Sequence, residues 1–246
     1  MQRFKIIFGL FISTHVLNAY DQNIHHNLVV NLNIQERTIT VVDSLTIPEG
    51  VMQGRNSIAF ALNKKLVPEF REGSFDILKM PGNDPNAIVD RYTIRVKDNV
   101  EGDLLVPIAY SGMISEEIST GADEYARGFS ETTGIITDAG VYLAGSTYWI
   151  PSFDNLLLTY DLTVMLRADW NVVSQGERTV NEVNEDVRTV QYQAGTPAEE
   201  VYLISAAWTE YEQRAGEVLI QAFLRTPDSA LASRYLDATS GYLNMY

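Results

Sequence analysis

The stretch Gly140-Val-Tyr-Leu-Ala-Gly-Ser-Thr-Tyr-Trp-Ile-Pro-Ser-Phe-Asp-Asn155 decides how this chain is interpreted. Pro151 cannot donate a hydrogen bond to a β-ladder, so the stretch is too irregular to be one uninterrupted strand. The spacing favours a buried strand over residues 141–143, followed by an aromatic corner that seals a β-sandwich. The alternative is a surface loop that presents aromatic side chains and a carboxylate to a ligand or a neighbouring domain.

Runs of alternating apolar and polar residues lie on both sides of this stretch. Residues 28–34 and 39–47 precede it, and a longer run over 156–166 follows it. Together with similar runs they predict about a dozen strands in a domain over residues 20–225, and short strands at this spacing are typical of a β-sandwich. The polar, glycine-rich segment 115–136 is predicted to be a long connection, and loops of that length in compact domains are usually functional or disordered. Its aromatic residues, Tyr125 and Phe129, favour an ordered loop. The fold class predicted is all-β.

The pattern changes after Thr226, which can cap a helix with Pro227 at its first position and Asp228 near its positive end. The residues at helical spacing on one face are Leu231, Tyr235, Ala238, Tyr242 and Met245. The sequence stops inside this pattern without a C-cap. We therefore expect residues 226–246 to be the first helix of a truncated catalytic domain, most of which the chain lacks.

The N-terminus has the plan of a secretory signal peptide. A short basic region with Arg3 and Lys5 precedes about a dozen mainly apolar residues, and Ala19 offers a small residue at a plausible cleavage point. This predicts a signal peptide over residues 1–19, export to the periplasm or the extracellular space, and no stable membrane span after cleavage. The alternative is an uncleaved membrane anchor.

Composition excludes several partners and chemistries. The 246 residues carry 32 acidic and 18 basic side chains, a net charge of −14, which argues against nucleic acid or anionic lipid as a partner.

The chain has no cysteine and three histidines. His25 and His26 are adjacent, so on a strand they point to opposite faces and make a poor chelating pair. No zinc-binding helix or catalytic triad pattern occurs, so no catalytic residue, metal ligand or cofactor is predicted for this chain. Acidic pairs such as Glu199–Glu200 are predicted to be solvated.

Several short segments in a fixed order resemble the membrane alanyl aminopeptidase family of gluzincin zinc metallopeptidases, in particular its bacterial secreted or periplasmic branch. They are Tyr125-Ala-Arg-Gly-Phe-Ser130, residues 140–152, Gln175-Gly-Glu177, and Thr209-Glu-Tyr211 leading to Phe223-Leu-Arg-Thr-Pro227. The resemblance covers most of residues 23–246. It implies a saddle-like β domain that precedes a thermolysin-like catalytic domain.

In that family the catalytic domain supplies the Gly-x-Met-Glu-Asn element and the His-Glu-x-x-His zinc helix, and neither motif occurs here. The Pro151-Ser-Phe-Asp154 segment matches the family's Pro-Cys-x-Asp-Glu-Pro element in part, with serine in place of cysteine and Asn155 in place of glutamate. The resemblance implies zinc for the intact protein, a peptide substrate, and a missing catalytic domain as partner.

These observations lead to one expectation with two alternatives. The chain is expected to be the non-catalytic N-terminal domain of a zinc aminopeptidase-like protein, inactive alone, forming one wall of the substrate cleft and docking on the catalytic domain. The residues predicted for those surfaces are Tyr148, Trp149, Phe153, Asp154, Tyr235 and Tyr242. For the first four, and above all for Trp149, ordinary core packing is the competing interpretation. The other functional candidates are a stand-alone secreted module that binds peptide or carbohydrate, with residues 115–136 as its lip, and a decayed peptidase fragment.

Overall fold

The computed structural model describes residues 22–70, 73–82, 84, 86–97, 102–116, 118–120 and 130–245. The predicted signal peptide lies outside the described residues, as do Tyr125 and Phe129 of the long connection. The strands and helices, in chain order, are β1 (Ile24–Asn33), β2 (Thr38–Ile47), α1 (Glu49–Met52), β3 (Ser57–Asn63), β4 (Leu66–Phe70), β5 (Phe75–Lys79), β6 (Val89–Val96), β7 (Leu104–Met113), β8 (Ser119–Thr120), β9 (Ser130–Glu131), β10 (Gly134–Thr137), β11 (Gly140–Leu143), β12 (Leu158–Arg167), β13 (Asn171–Val173), β14 (Glu177–Asn184), β15 (Val187–Ala198), β16 (Leu203–Ala206), β17 (Thr209–Ala215), β18 (Val218–Leu224) and α2 (Ser229–Leu243).

A seven-stranded sheet in the order β14-β15-β12-β1-β2-β7-β4 is the largest element of the fold. Its neighbours are antiparallel except for β1 and β12, which run parallel in the register Ile24↔Leu158 to Asn31↔Met165. Side chains of β1, β2 and β12 alternate between buried and more exposed positions, as the sequence pattern predicted. One face of the sheet therefore belongs to the core.

Two smaller sheets complete the sandwich: β3-β6-β5 and β10-β11-β16-β13. Buried residues of all three sheets, such as Leu28, Phe60 and Leu203, join one hydrophobic cluster. The predicted all-β sandwich is confirmed. Pro107 lies on β7 opposite Ser44 of β2 and just beyond Ile108, where the pairing of β7 with β4 ends. On that side it has no strand partner among the described residues, as is usual for a proline in a sheet.

The hairpin β17–β18 forms a two-stranded sheet of its own, and α2 packs on it. The helix begins later than the sequence predicted. Asp228 is the N-cap, with an extended backbone and a carboxylate that accepts a hydrogen bond of 2.9 Å from the amide of Leu231. Thr226 and Pro227 therefore precede the helix, because the carboxylate of Asp228 satisfies one of the free amides of the first turn. No helix among the described residues is long and apolar enough to cross a membrane.

Candidate functional site

The aromatic stretch forms a tightly held turn after β11. Residues 145–147 make one 3-10 turn, and Tyr148 follows in the left-handed conformation with φ 52° and ψ 40°. The amide of Tyr148 donates to the carbonyl of Gly145 at 3.0 Å, and its own carbonyl accepts from the amide of Asn63 at 2.8 Å. A left-handed tyrosine costs on the order of 1–2 kcal/mol. The turn persists because hydrogen bonds from other elements hold it.

Strand β3 supplies most of those bonds. The buried side chain of Asn63 donates through Nδ2 to the carbonyl of Thr147 at 2.8 Å. Ala61 and Ser152 exchange two backbone hydrogen bonds of 2.9 Å each. On the other side, the amide of Gly145 donates to Glu200 Oε2 at 2.6 Å. Both ends of the turn are thus fixed to the sandwich.

Trp149 and Phe153 lie in the core. Trp149 is 1% exposed, and its indole Nε1 donates to the carbonyl of Val201 at 3.0 Å. Phe153 is buried, with its ring centroid 5.8 Å from that of Phe60. Val141 and Leu143 are buried in β11, so this stretch has the structure that its spacing favoured. For Trp149 and Phe153 the competing interpretation, ordinary core packing, describes their position, and neither offers a free surface.

Of the four site residues predicted in this stretch, Tyr148 and Asp154 are the two that reach the surface. Tyr148 is half-buried, and the Asp154 side chain is 70% exposed. Asp154 Oδ2 lies 3.0 Å from Arg91 Nη1. Because both partners are exposed, this ion pair contributes about 0–1 kcal/mol and leaves the carboxylate available to a further partner.

The two tyrosines predicted on the helix lie on the surface of α2. Tyr235 is 56% and Tyr242 64% exposed, whereas Ala232 and Leu236 of the same helix are buried. We call the exposed aromatic face that carries Tyr235 and Tyr242 the α2 stripe. No hydrogen bond, ion pair or aromatic ring contact among the described residues joins Tyr235 or Tyr242 to Tyr148 or Asp154, so the predicted site residues form two separate groups.

Sequence reasoning missed a cluster around Glu200. Its Oε1 accepts a hydrogen bond of 2.6 Å from the hydroxyl of Tyr202, and this bond raises the pKa of Tyr202. The Tyr202 ring lies 6.4 Å from that of Tyr142, and both are half-buried. Glu200 also accepts from the amide of Gly145, so it is not the freely solvated acid that was predicted. The linear sequence carries no signal for this, since 55 residues separate Glu200 from Gly145.

The described residues do not fit a zinc site. They contain no group of three or more histidine, aspartate or glutamate side chains that could hold a metal ion. His26 Nδ1 is engaged by Asp43 Oδ2 at 2.8 Å inside the core, while His25 faces Thr159 on the other side of the sheet. The two histidines thus point to opposite faces of the sheet, as predicted.

Comparison with known proteins gives a likeness of fold. No protein-family model matches the chain, and no curated protein matches it. Among solved structures, the M1 zinc metallopeptidase from Deinococcus radiodurans superposes with a TM-score of 0.52 at 13% sequence identity, over 86% of this chain and 52% of that chain. A mutant of that enzyme bound to a Tyr-Ser-Ala substrate gives a TM-score of 0.53 at 12% identity, over 85% and 49% of the two chains.

A further match is a mutant of a two-domain M1 zinc metallopeptidase bound to L-tryptophan, with a TM-score of 0.51 at 13% identity. At this identity the likeness concerns the fold alone. The chain has a fold like that of the N-terminal domain of M1 aminopeptidases, and it spans about half the length of the solved structures that it matches.

Proposed function

We propose that this chain is the non-catalytic β domain of a zinc aminopeptidase-like protein, where it docks on a catalytic domain and forms one wall of a peptide-binding cleft. The observation that carries the proposal is the fold, which is like that of two-domain M1 metallopeptidases over 86% of the chain. In this proposal, zinc-activated water and a glutamate base belong to the catalytic domain. The residues of this chain contact the catalytic domain and hold the peptide substrate in position.

The α2 stripe supports the docking part of the proposal. Two tyrosine side chains on this one helix are more than half exposed. Exposing large aromatic rings to water is unfavourable unless a partner covers them. Tyrosine is also enriched at protein interfaces, because its ring packs while its hydroxyl finds a polar partner. The proposed occupant of this face is the catalytic domain that the family resemblance implies.

The turn at Tyr148 supports the cleft-wall part. The fold holds a non-glycine residue in the left-handed region, half-buried, between the buried residues Thr147 and Trp149. Such outliers cluster at ligand-binding positions, where surrounding bonds over-determine them. We assign Tyr148 a contact with the peptide substrate, and we assign the exposed carboxylate of Asp154 a polar contact at the same wall.

The first test is to read the coding sequence beyond codon 246. We expect it to continue in frame and to encode a Gly-x-Met-Glu-Asn element followed by a His-Glu-x-x-His helix. The complete product is then assayed for zinc content and for release of N-terminal amino acids from peptides. A stop codon at that position, together with a soluble monomer of residues 20–246 that binds a peptide or a sugar, would favour the stand-alone binding module.

The docking surface is tested on the complete product. The double substitution Tyr235→Ser/Tyr242→Ser is expected to weaken the contact between the domains and to lower aminopeptidase activity at least tenfold. The matched control is Ser229→Ala/Ser233→Ala, which changes two exposed positions of the same helix away from the α2 stripe. Equal activity of both variants would remove the α2 stripe from the proposal and leave the fold assignment intact.

We also propose that the protein is exported. The basic and apolar residues that precede Ala19 support this, since they have the order of a signal peptide. Cell fractionation and N-terminal sequencing of the native product test it. A mature N-terminus close to Tyr20 is expected, and an intact Met1 on a cytoplasmic product would contradict it.

A further inference from the structure

The hairpin β17–β18 and helix α2 form a unit that we call the arm, residues 209–243. Within the described part of the chain, β17 pairs with β18 alone, from Thr209↔Leu224 to Ala215↔Val218, and neither strand joins another sheet. The buried apolar residues of the arm are Ile220, Ala232 and Leu236. None of them belongs to the hydrophobic cluster that unites the three sheets of the sandwich. Apolar packing in that cluster therefore does not fix the arm.

Side chains make the hydrogen bonds that connect the arm to the sandwich. Arg178 on β14 forms a two-pronged pair with Glu210 on β17, with Nη2 2.6 Å from Oε1 and Nη1 2.9 Å from Oε2. Asn171 at the start of β13 also donates to Glu210 Oε2, at 2.7 Å. A bidentate arginine–carboxylate pair fixes orientation as well as distance. Two strands of the sandwich thus converge on one carboxylate of the arm.

The arm holds this carboxylate in place from its own side. Gln221 on β18 donates through Nε2 to Glu210 Oε1 at 2.7 Å and to Glu212 Oε1 at 2.8 Å. Glu212 in turn lies 2.8 Å from Arg178 Nη2. The hydrogen bond that Arg178 donates to Glu210 raises the pKa of Arg178, and the bond that Glu212 accepts from Gln221 lowers the pKa of Glu212, so both shifts favour the charged forms.

Burial separates this network from ordinary surface ion pairs. The Arg178 and Glu210 side chains are 16% and 14% exposed. Solvent screens such a pair much less than it screens an exposed one, and the loss of one partner leaves a charge poorly solvated. A second tie lies near the helix, where the Arg225 guanidinium donates to the carbonyl of Ala139.

We propose that Arg178 and Glu210 are positioning residues that set the orientation of the arm on the sandwich, and that the arm moves as one body when their pairing is lost. The network then determines the direction in which Tyr235 and Tyr242 face. The use of that direction for docking rests on the proposed function, whereas the orientation itself does not.

The absence of cysteine from the sequence makes a distance measurement straightforward. Nitroxide labels are attached to the chain that carries Ser44→Cys on β2 and Ser233→Cys on α2, two exposed positions. Pulsed electron spin resonance is expected to give one narrow distance distribution. Adding Arg178→Met is expected to broaden that distribution at least twofold. The matched control is Arg214→Met, since Arg214 is an exposed arginine of β17 outside the network.

Two further variants keep the test decisive if Arg178→Met unfolds the chain. Arg178→Lys keeps the charge but not the two-pronged geometry, and it is expected to restore part of the narrow distribution. The double variant Arg178→Met/Glu210→Gln removes both charges, so it is expected to fold with a broad distribution. A narrow distribution in every folded variant would overturn the proposal. The measurement needs no catalytic domain, so its failure is distinguishable from failure of docking.

Discussion

His26 Nδ1 lies 2.8 Å from Asp43 Oδ2, and both side chains are fully buried on the core face of the seven-stranded sheet. The other polar atoms of the pair, His26 Nε2 and Asp43 Oδ1, have no partner among the described residues. Each side chain therefore depends on the other for its one hydrogen bond. A pair of this kind penalises the loss of one partner more than the loss of both.

The first prediction follows from that dependence. His26→Leu alone and Asp43→Val alone are each expected to lower the free energy of unfolding by about 1–3 kcal/mol, because each leaves a buried polar group unpaired. The double variant His26→Leu/Asp43→Val is expected to be more stable than either single variant. Urea unfolding of all three, completed as a double-mutant cycle, measures this. Additive effects would mean that the pair does not act as a unit.

The second prediction concerns two buried tyrosines. The Tyr110 hydroxyl has no partner among the described residues, whereas that of Tyr160 bonds to Ser174 and Gln175. Tyr110→Phe is therefore expected to leave the free energy of unfolding unchanged or to raise it by up to about 1–3 kcal/mol. Tyr160→Phe, its matched control, is expected to lower it by about 1 kcal/mol.

The third prediction is the pH dependence of the same variant. Burial first, and the nearby charge of Asp43 second, raise the pKa of Tyr110 well above its ordinary value of 10.0. The unfolded chain loses this proton from about pH 10 while the folded chain keeps it, so stability is full below pH 10 and falls as the pH rises further. In Tyr110→Phe, the free energy of unfolding is expected to decrease with pH less steeply, by up to about 1.4 kcal/mol per pH unit. Equal slopes for both proteins between pH 10 and 11 would contradict it.

The fourth prediction tests the aromatic corner. Trp149→Ala is expected to cost about 3–5 kcal/mol through the cavity that it leaves. Trp149→Phe is expected to cost about 1–3 kcal/mol, because it leaves the carbonyl of Val201 without its donor. Trp208→Phe is the control, since Nε1 of Trp208 has no partner among the described residues and its loss breaks no described hydrogen bond. Chemical unfolding followed by circular dichroism compares the three.

The fifth prediction concerns Gly112 on β7. A Cβ atom at this position would overlap the backbone carbonyl of Lys65, which cannot move without breaking the pairing of β4 with β7. Gly112→Ala is expected to cost about 1–3 kcal/mol through overpacking. Gly195→Ala on β15 meets nothing within 4 Å and is expected to be neutral. Thermal unfolding compares the midpoint temperatures of the two variants. Equal midpoints would show that β4 can shift to make room for the added methyl group.

The parts of the fold that the sequence predicted are those in which apolar residues alternate. Buried and partly buried side chains alternate along strand β12, and the same period is visible in the sequence. Strands β14 and β17 were missed, because their sequences ERTVNEVN and TEYEQRA are polar on both faces. Ion pairs and backbone hydrogen bonds stabilise these two strands, and neither kind of interaction produces an alternating apolar pattern in the sequence. Strand β4 was missed as well, and it carries Pro68 near its centre.

The site residues divide in the same way. Position along a helix was sufficient to predict that Tyr235 and Tyr242 share the surface of α2. The same reasoning could not predict that Tyr148 is half-buried while its neighbour Trp149 lies in the core. That difference depends on the left-handed conformation of Tyr148, which Asn63 stabilises from a position 84 residues before Thr147. Contacts between distant segments, such as that of Arg178 with Glu210, are invisible to any local pattern.

The parallel pairing of β1 with β12 has a consequence for the order in which strands can pair as the chain emerges with its N-terminus first. Strand β1 lies in the middle of the large sheet, yet one of its two neighbours is 134 residues away in the chain. At about 5–20 residues per second, roughly 6–22 seconds pass between completion of the β1–β2 hairpin and the appearance of β12, and one edge of β1 is bare during that time. Newly made chains are therefore open to wrong strand partners during that interval, and a holding chaperone would act there.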